Sequence, residues 1–338
     1  MKVLLTGATS GLGLNAAGWL LDAGHQLHAT GRNLEVGNTL RGLGAAFTAL
    51  DLSQASAQEC ERLMQGCEAV WHCAAKSSPW GTKADFYLAN EYATKQLASA
   101  AARCGVPRFV HISTPAIYFD FQHHYQIAES YRASRFANLY ASSKYLAEQQ
   151  VVELVPRYPD TIFVILRPRG LFGPHDRVIL PRVLEQIRGD RGILRLPRAG
   201  QATLDLTFVL NAVHAMDLAT RAHAVPSGAI YNITNHQPLR LVDMLNSLMR
   251  EQLGLRYQVR NAPYQMIHTL AASLELIARV TGKEPALTRY AVAAANFDMT
   301  LSTTKAKAEL GYRPLYSIEE GIHRTGQWLQ ANTEAVGG

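Results

Sequence analysis

Cysteine is scarce in this chain. The four present, Cys60, Cys67, Cys73 and Cys104, show no C-x-x-C or other metal-ligand spacing. That argues against a zinc ribbon or a disulfide scaffold and leaves reduced thiols in a cytoplasmic protein as the expectation. An uninterrupted run of about 20 apolar residues is absent, so no transmembrane span is expected. Also missing are a Lys/Arg-rich arm and any interleaving of basic with aromatic residues. With a formal charge of only +6, the chain suits an anionic small ligand rather than nucleic acid. Met1 runs directly into an apolar strand pattern, leaving no room for a signal peptide.

What the chain has is apolar content. Hydrophobic residues make up 48% of 338 positions, enough for one large domain or two unequal ones with a substantial core. Strand and helix patterns alternate through the first half. Val3–Leu5 reads as a buried strand, followed by strands at His25–Thr30, Ala46–Leu50, Ala69–Cys73, Phe109–Ile112 and Ile162–Leu166, with helical segments between. Such alternation specifies an α/β fold with a doubly wound, mostly parallel sheet covered on both faces. Ligands bind such sheets at the carboxyl ends of the strands.

Those ends carry the informative residues. After the first strand, Thr6, Gly7, Thr9, Ser10, Gly11, Leu12 and Gly13 form a tight turn into a helix at Leu14–Ala23 that Gly24 is placed to end. Glycines there admit a close backbone approach, and the helix's first N–H groups face a pyrophosphate. The second strand ends in Gly31-Arg32, with no carboxylate to bind a ribose 2′-hydroxyl. Arg32 instead suits a 2′-phosphate, so NADP(H) is favoured over NAD(H). Asp51-Leu52 ends the third strand, where Asp51 either accepts from adenine or caps a helix starting near Ser53. Cys73-Ala74-Ala75 ends the fourth with small residues, and Lys76 begins a loop through Pro79, Trp80 and Gly81 over the site. Trp80 either walls an apolar pocket or simply packs. A helix from Asp85 to Cys104 carries Asn90. The adjacent His123 and His124 lack further ligand spacing and read as surface residues rather than a metal site.

Tyr140 and Lys144 lie one helical turn apart. A free phenol titrates near pH 10, and an ammonium beside it lowers that value toward neutral operation. The spacing therefore predicts an acid–base pair.

At these residues the sequence resembles the extended short-chain dehydrogenase/reductase family, and within it the 3β-hydroxysteroid dehydrogenase-like branch, which includes sterol dehydrogenases and bacterial 2-alkyl-3-oxoalkanoate reductases. The likeness spans nearly the whole chain. It runs from TGATSGLG through WHCAAKSSPWG, FYLANEYATKQL, RFVHISTPAIY, YASSK, LRPRGLFGP, LDLTFV and YNITNHQPL to LGYRPLYSIEEGI. The resemblance implies a Rossmann domain over 1–171 and 204–235. It implies a smaller, discontinuous substrate lobe over 172–203 and 236–330. It implies Tyr140 as acid–base residue, Lys144 holding the nicotinamide ribose and tuning Tyr140, and Thr114 as the catalytic hydroxyl with Ser113 as fallback. Pro168, Gly170 and Leu171 would flank the nicotinamide, with Arg167 and Arg169 near it. The expected reaction is hydride transfer between the nicotinamide and an apolar ketone or secondary alcohol, a β-oxo acid or a sterol-like molecule. A homodimer is the family habit.

Other readings stand beside this one. An epimerase or dehydratase would retain its NAD(P), although Leu204 stands where sugar-nucleotide epimerases typically carry an arginine. A non-catalytic redox sensor would bind the dinucleotide alone, but such relatives tend to lose the Tyr/Lys pair. In the second half, Arg177, Arg182, Arg188, Arg191, Arg195 and Arg198 join Arg169 in a basic stretch read mostly as a solvated helical face and loop, with contact of some of them to a substrate carboxylate or a thioester carrier as the alternative. Leu206–Leu210 and Ala229–Ile233 read as strands returning to the main sheet. In Gln265–Val280, the residues Met266, Ile267, Leu270, Leu274 and Ile277 recur at helical spacing, with Glu275 and Arg279 as an i,i+4 pair. That helix reads as a packed element or lid over an acyl chain, with contact to a membrane surface as the alternative.

Overall fold

Seven parallel strands form the central sheet of the computed structural model, which describes residues 1–78, 80–176 and 180–332. In chain order they are β1 (Lys2–Thr6), β2 (Gln26–Gly31), β3 (Ala46–Ala49), β4 (Ala69–His72), β5 (Arg108–Ile112), then Ile162–Pro168 and Ala229–Ile233. In space the order is β3-β2-β1-β4-β5, followed by Ile162–Pro168 and Ala229–Ile233. The chain thus winds one way from β1 to β3 and the other way from β4 onward. The crevice between β1 and β4 is the switch point at which such sheets take ligands.

Period-two alternation along the strands feeds two cores. Val3, Leu5, Trp71 and Val110 face one side with Leu20 of helix α1 (Gly11–Asp22). Leu4, Val70, Phe109 and Phe163 face the other with Leu97 and Val151. A second, four-stranded sheet joins His124–Ile127, Met299–Leu301, Thr203–Leu204 and Leu239–Arg240. It lies with a third core built on Phe172, Leu184, Phe208 and Leu248.

Helix α1 begins at Gly11, three residues before the apolar pattern suggests, because it packs tightly under the turn. A Cβ on Gly13 would sit 2.1 Å from the Gly7 carbonyl oxygen, whereas one on Gly18 meets nothing within 4 Å. Gly13→Ala is therefore expected to destabilise the fold by about 1–3 kcal/mol. Gly18→Ala, in the middle of the same helix, should stabilise it by about 0.5–1 kcal/mol. Urea unfolding of the two variants checks both signs.

Four expectations are corrected. Leu206–Leu210 does not return to the main sheet: Thr207–Phe208 pairs with Leu171–Phe172 in a sheet of its own, and a helix starts at Val209. No helix starts near Ser53. Helix α2 (Leu34–Gly42) is followed, after β3, by α3 (Ala57–Leu63), which Ser56 caps in a reciprocal box with Glu59. The helix expected from Asp85 starts at Lys83 instead. Thr82 caps it, Asp85 completes the box, and a wider π-turn at Tyr87–Tyr92 precedes the regular Ala93–Arg103. In Tyr264–Thr281 the buried residues are Ala271, Glu275 and Ala278, while Met266, Leu270 and Ile277 are 62%, 55% and 56% exposed. Glu275 does not pair with Arg279; it takes the Arg289 backbone N–H at 2.7 Å and its Nε at 2.8 Å. Small residues let this helix lie close to its neighbour, which turns its larger apolar side chains outward. Among the described residues, no helix is long and apolar enough to cross a membrane.

Candidate active site

The glycine turn is held by the protein itself on one side and open on the other. A Cβ on Gly7 would meet the Ala74 backbone nitrogen at 2.8 Å, so β1 and the end of β4 touch through backbone here. The Thr6 hydroxyl fastens that contact. It accepts from the Ala74 N–H at 3.1 Å and shares a hydrogen bond with His72 Nδ1 at 2.8 Å. Thr6 is thus turned inward, and Thr9 is buried under Gly31, where a Cβ would reach its hydroxyl at 2.7 Å. Leu12 packs between two of the cores. Gly11 differs: its φ is +50° and a Cβ there would enter open space. Ser10 precedes the helix with no side-chain cap, and the first turn holds no acidic residue. The leading N–H groups of α1 are uncovered toward that space, which fits an anionic diphosphate.

Arg32 stands 80% exposed at the end of β2, 3.7 Å from Asp51. Asp51 accepts from both the N–H and the hydroxyl of Ser53 and caps no helix. Leu52 is buried in the core. The Arg32 guanidinium is largely exposed to solvent and pairs loosely with the Asp51 carboxylate. Burial pushes the Cys73 thiol up to about 12, away from the thiolate form. Asn90, in the π-turn, is fully buried and saturated: it takes the Lys76 N–H at 2.7 Å and donates to the Lys76 carbonyl and to Ser143 Oγ. It shapes the Ala75–Lys76 wall of the crevice through backbone contacts. Of the loop above, Pro79 lies outside the described residues; Trp80 is half-buried.

Tyr140 and Lys144 project from helix Leu139–Val152, which Asn138 caps on the Ala141 N–H. Thr114, just past β5, caps the short turn Pro115–Tyr118 by accepting the Ala116 N–H at 3.2 Å, and its hydroxyl opposes the rise that burial imposes on the Tyr140 phenol. Ser113 Oγ is buried beside it with no partner. Lys144 is fully buried; its ammonium donates to the Ile112 carbonyl at 2.6 Å and to His111 Nε2 at 3.1 Å. Burial lowers it to about 8. The Tyr140 phenol, by contrast, is pushed up to about 12 by burial, opposed only by Thr114. The expected lowering of Tyr140 by Lys144 is not present in this geometry, because the ammonium reaches along the helix to the end of β5 instead.

Arg167 is not open toward the nicotinamide side. It is buried in a forked ion pair with Glu148 and donates also to Tyr118 Oη and the Glu129 carbonyl. Arg169 and Gly170 line the strand end at Pro168, and Leu171 pairs with Thr207. Of the basic stretch, Arg177 lies outside the described residues. Arg182, Arg195 and Arg198 pair with Glu284, Asp190 and Asp298. His123 and His124 are tied to Asp298 and Asp120, and no cluster of metal-ligating residues occurs among the described residues.

Sequence reasoning missed a buried row beneath the site. His72 and His111 face each other across β4 and β5, ring centroids 5.2 Å apart. The signal was there: both are polar residues in otherwise apolar strands, one position before informative ends. His72 also meets Thr94 Oγ1 at 2.9 Å. The Lys144 ammonium, which has no acceptor, fixes His111 as the Nδ1–H tautomer. Burial first and Lys144 second lower His72 to about 3 and His111 well below its ordinary value. Above pH 6.5 both are neutral folded or unfolded. Below it the unfolded chain takes up protons that the fold refuses, so stability falls with pH from 6.5 down toward 3. His72 contributes about 1.4 kcal/mol per pH unit in that window, and His111 acts in the same direction. Asp298, held down to about 2, contributes only below its ordinary 3.8. Urea midpoints between pH 6 and pH 4.5 should therefore fall in wild type and fall less steeply in His111→Asn.

The comparisons with known proteins agree with this fold. The profile of the NAD dependent epimerase/dehydratase family matches residues 3–234. The chain is 44% identical over 332 residues to uncharacterized protein YbjS of Escherichia coli, covering 98% of each. It is 31% identical over 334 residues to a 2-alkyl-3-oxoalkanoate reductase of Shewanella oneidensis, covering 95% of this chain and 84% of that one. It is 28% identical over 280 residues to the mouse sterol-4-alpha-carboxylate 3-dehydrogenase, decarboxylating, covering 80% and 76%. Among solved structures, UDP-glucuronic acid 4-epimerase from Bacillus cereus, in complex with UDP-glucuronic acid and NAD, superposes with a TM-score of 0.76 at 18% identity over 98% of this chain and 100% of that one. At that identity the likeness is one of fold.

Proposed function

The chain belongs to the NAD dependent epimerase/dehydratase family, of the extended short-chain dehydrogenase/reductase type, and from that premise we propose that it is an NADP(H)-dependent reductase of an apolar ketone. The observation that carries this reading is Tyr140 at the start of helix Leu139–Val152 with the buried Lys144 ammonium one turn away, fastened to the Ile112 carbonyl beside Thr114 at the carboxyl end of the sheet. The open space at Gly11, the uncapped start of α1 and the exposed Arg32 would hold the diphosphate and the 2′-phosphate. When bound, NADPH supplies the hydride.

The chain's own residues do the rest. Tyr140, kept protonated by burial, gives its proton to the carbonyl oxygen as negative charge grows there. Thr114 hydrogen-bonds that oxygen and fixes the phenol's direction. Lys144 holds a positive charge at the site floor, fixed there by the Ile112 carbonyl and His111 Nε2, and would be the residue to hold the nicotinamide ribose. Residues 1–171 with 204–235 would form the nucleotide-binding part, and 172–203 with 236–330 the substrate lobe. The names of the ketoreductase and sterol dehydrogenase relatives support a β-oxo acid or sterol-like ketone.

A screen of NADPH and NADH consumption against β-oxo acids, sterol ketones and simple aldehydes tests the reading. Consumption of NADPH with an apolar ketone is expected. Protein that purifies with tightly held cofactor and isomerises a substrate without net oxidation would overturn it in favour of an epimerase or dehydratase.

A further inference from the structure

Two arginines flank Pro168, and their surroundings differ sharply. Arg167 is saturated, as described above. Arg169 is not: its Nε is buried with no hydrogen-bond partner, and among the described residues it makes no ion pair within 4 Å. Its backbone is pinned at the sheet's carboxyl edge, donating to the Ile233 carbonyl at 3.1 Å and accepting from Thr207 Oγ1 at 2.7 Å. The acidic group that acts on it, Asp205, is itself buried and spends an oxygen on the Leu301 N–H at 2.7 Å. A guanidinium has five donors, and leaving them unpaired away from water is costly.

Ser113 donates its N–H to the Leu166 carbonyl at 2.7 Å, so the neighbouring strand ends that carry Thr114 and Arg169 lie side by side. Tyr290, from helix Arg289–Ala294, has its ring wedged edge-on against Phe119 at 5.3 Å, and the Arg169 charge opposes the rise that burial imposes on its phenol. Phe119, Phe297 and Tyr264 continue the wall as an apolar aromatic cluster. The site thus has a cationic end next to the acid–base residue and an apolar end beyond it.

Resting on the proposed reductase activity, we propose that Arg169 and Tyr290 bind the carboxylate of a β-oxo acid, selecting it over a neutral ketone. In a β-oxo acid the carboxylate lies one carbon from the ketone. An oxygen held by Tyr140 and Thr114 therefore brings the anion within reach of the neighbouring arginine. Arg169 grips that anion through paired N–H donors, Tyr290 Oη donates a further hydrogen bond, and the alkyl chains run along the Phe119 wall.

The test is calorimetric titration of the NADP⁺-loaded protein with a long-chain 2-alkyl carboxylic acid and with its uncharged primary amide. Wild type should bind the acid about tenfold or more tightly than the amide. Arg169→Met should erase that preference while leaving amide affinity in place, Arg169→Lys should restore part of it, and Tyr290→Phe should reduce it. If Arg169→Met does not fold, the Lys and Phe variants carry the comparison. Equal binding of acid and amide by wild type, binding of neither, or equal weakening of both by the substitutions would overturn the assignment. Strong preference for the acid without any NADPH-dependent ketone reduction would leave the carboxylate site standing and refute the reductase reading.

Discussion

Tyr140→Phe is expected to lower kcat for ketone reduction by about 10²–10⁴-fold while NADPH binding, followed by cofactor fluorescence, stays close to wild type. Tyr140 is half-buried, and desolvation pushes its phenol up to about 12, so at neutral pH it is present as the proton-bearing form. Phenylalanine keeps the ring and its packing and removes only the proton. The Thr114 hydroxyl keeps the Ala116 N–H at 3.2 Å, so the backbone past β5 should not move. A variant that retains full turnover would remove Tyr140 from the chemistry; one that loses cofactor binding equally would show a structural role instead.

Arg167→Met is the second large effect, and it acts on stability. Glu148 is fully buried and takes both the Nε and a terminal nitrogen of Arg167. Methionine fills the volume but leaves a carboxylate with no arginine in a dry site. Removing one member of such a pair costs about 3–5 kcal/mol. The loss should be partly reversed in Arg167→Met/Glu148→Gln, because the second change removes the stranded charge. Urea unfolding of the two single variants and the double variant reads this directly. The Lys144 ammonium, four residues from Glu148 on the same helix, also feels that carboxylate. Glu148→Gln alone should therefore lower Lys144 further below its ordinary value.

The sheet was legible because its signal is local. Buried strands such as Ala69–His72 show as apolar runs, and Gly24, with φ +73°, ends its helix as its position implied. The strand at Leu206–Leu210 was misread because an apolar run does not state which sheet it joins. Only tertiary pairing with Leu171–Phe172 decides that. The exposed face of Tyr264–Thr281 was misassigned for a similar reason: its neighbour accepts small residues, so Ala271 and Ala278 went inward and Met266 and Leu270 outward. Tyr140 and Lys144 stood out in the sequence as a pair one helical turn apart, and Thr114 came from the family likeness. What the motif could not convey is direction. Lys144 points to Ile112 and His111, Arg167 is consumed by Glu148, and Arg169, two residues on, is left without such a partner. These outcomes depend on residues distant in sequence, and no spacing rule carries them.

The most direct measurement uses NADPH carrying deuterium at the transferring position of the nicotinamide, with a long-chain 2-alkyl-3-oxo acid as substrate and mass spectrometry of the product. The expected result is one deuterium on the new carbinol carbon for each NADP⁺ released, and loss of that transfer in Tyr140→Phe. Product without deuterium, or cofactor that stays bound with no net oxidation, would contradict the reductase account.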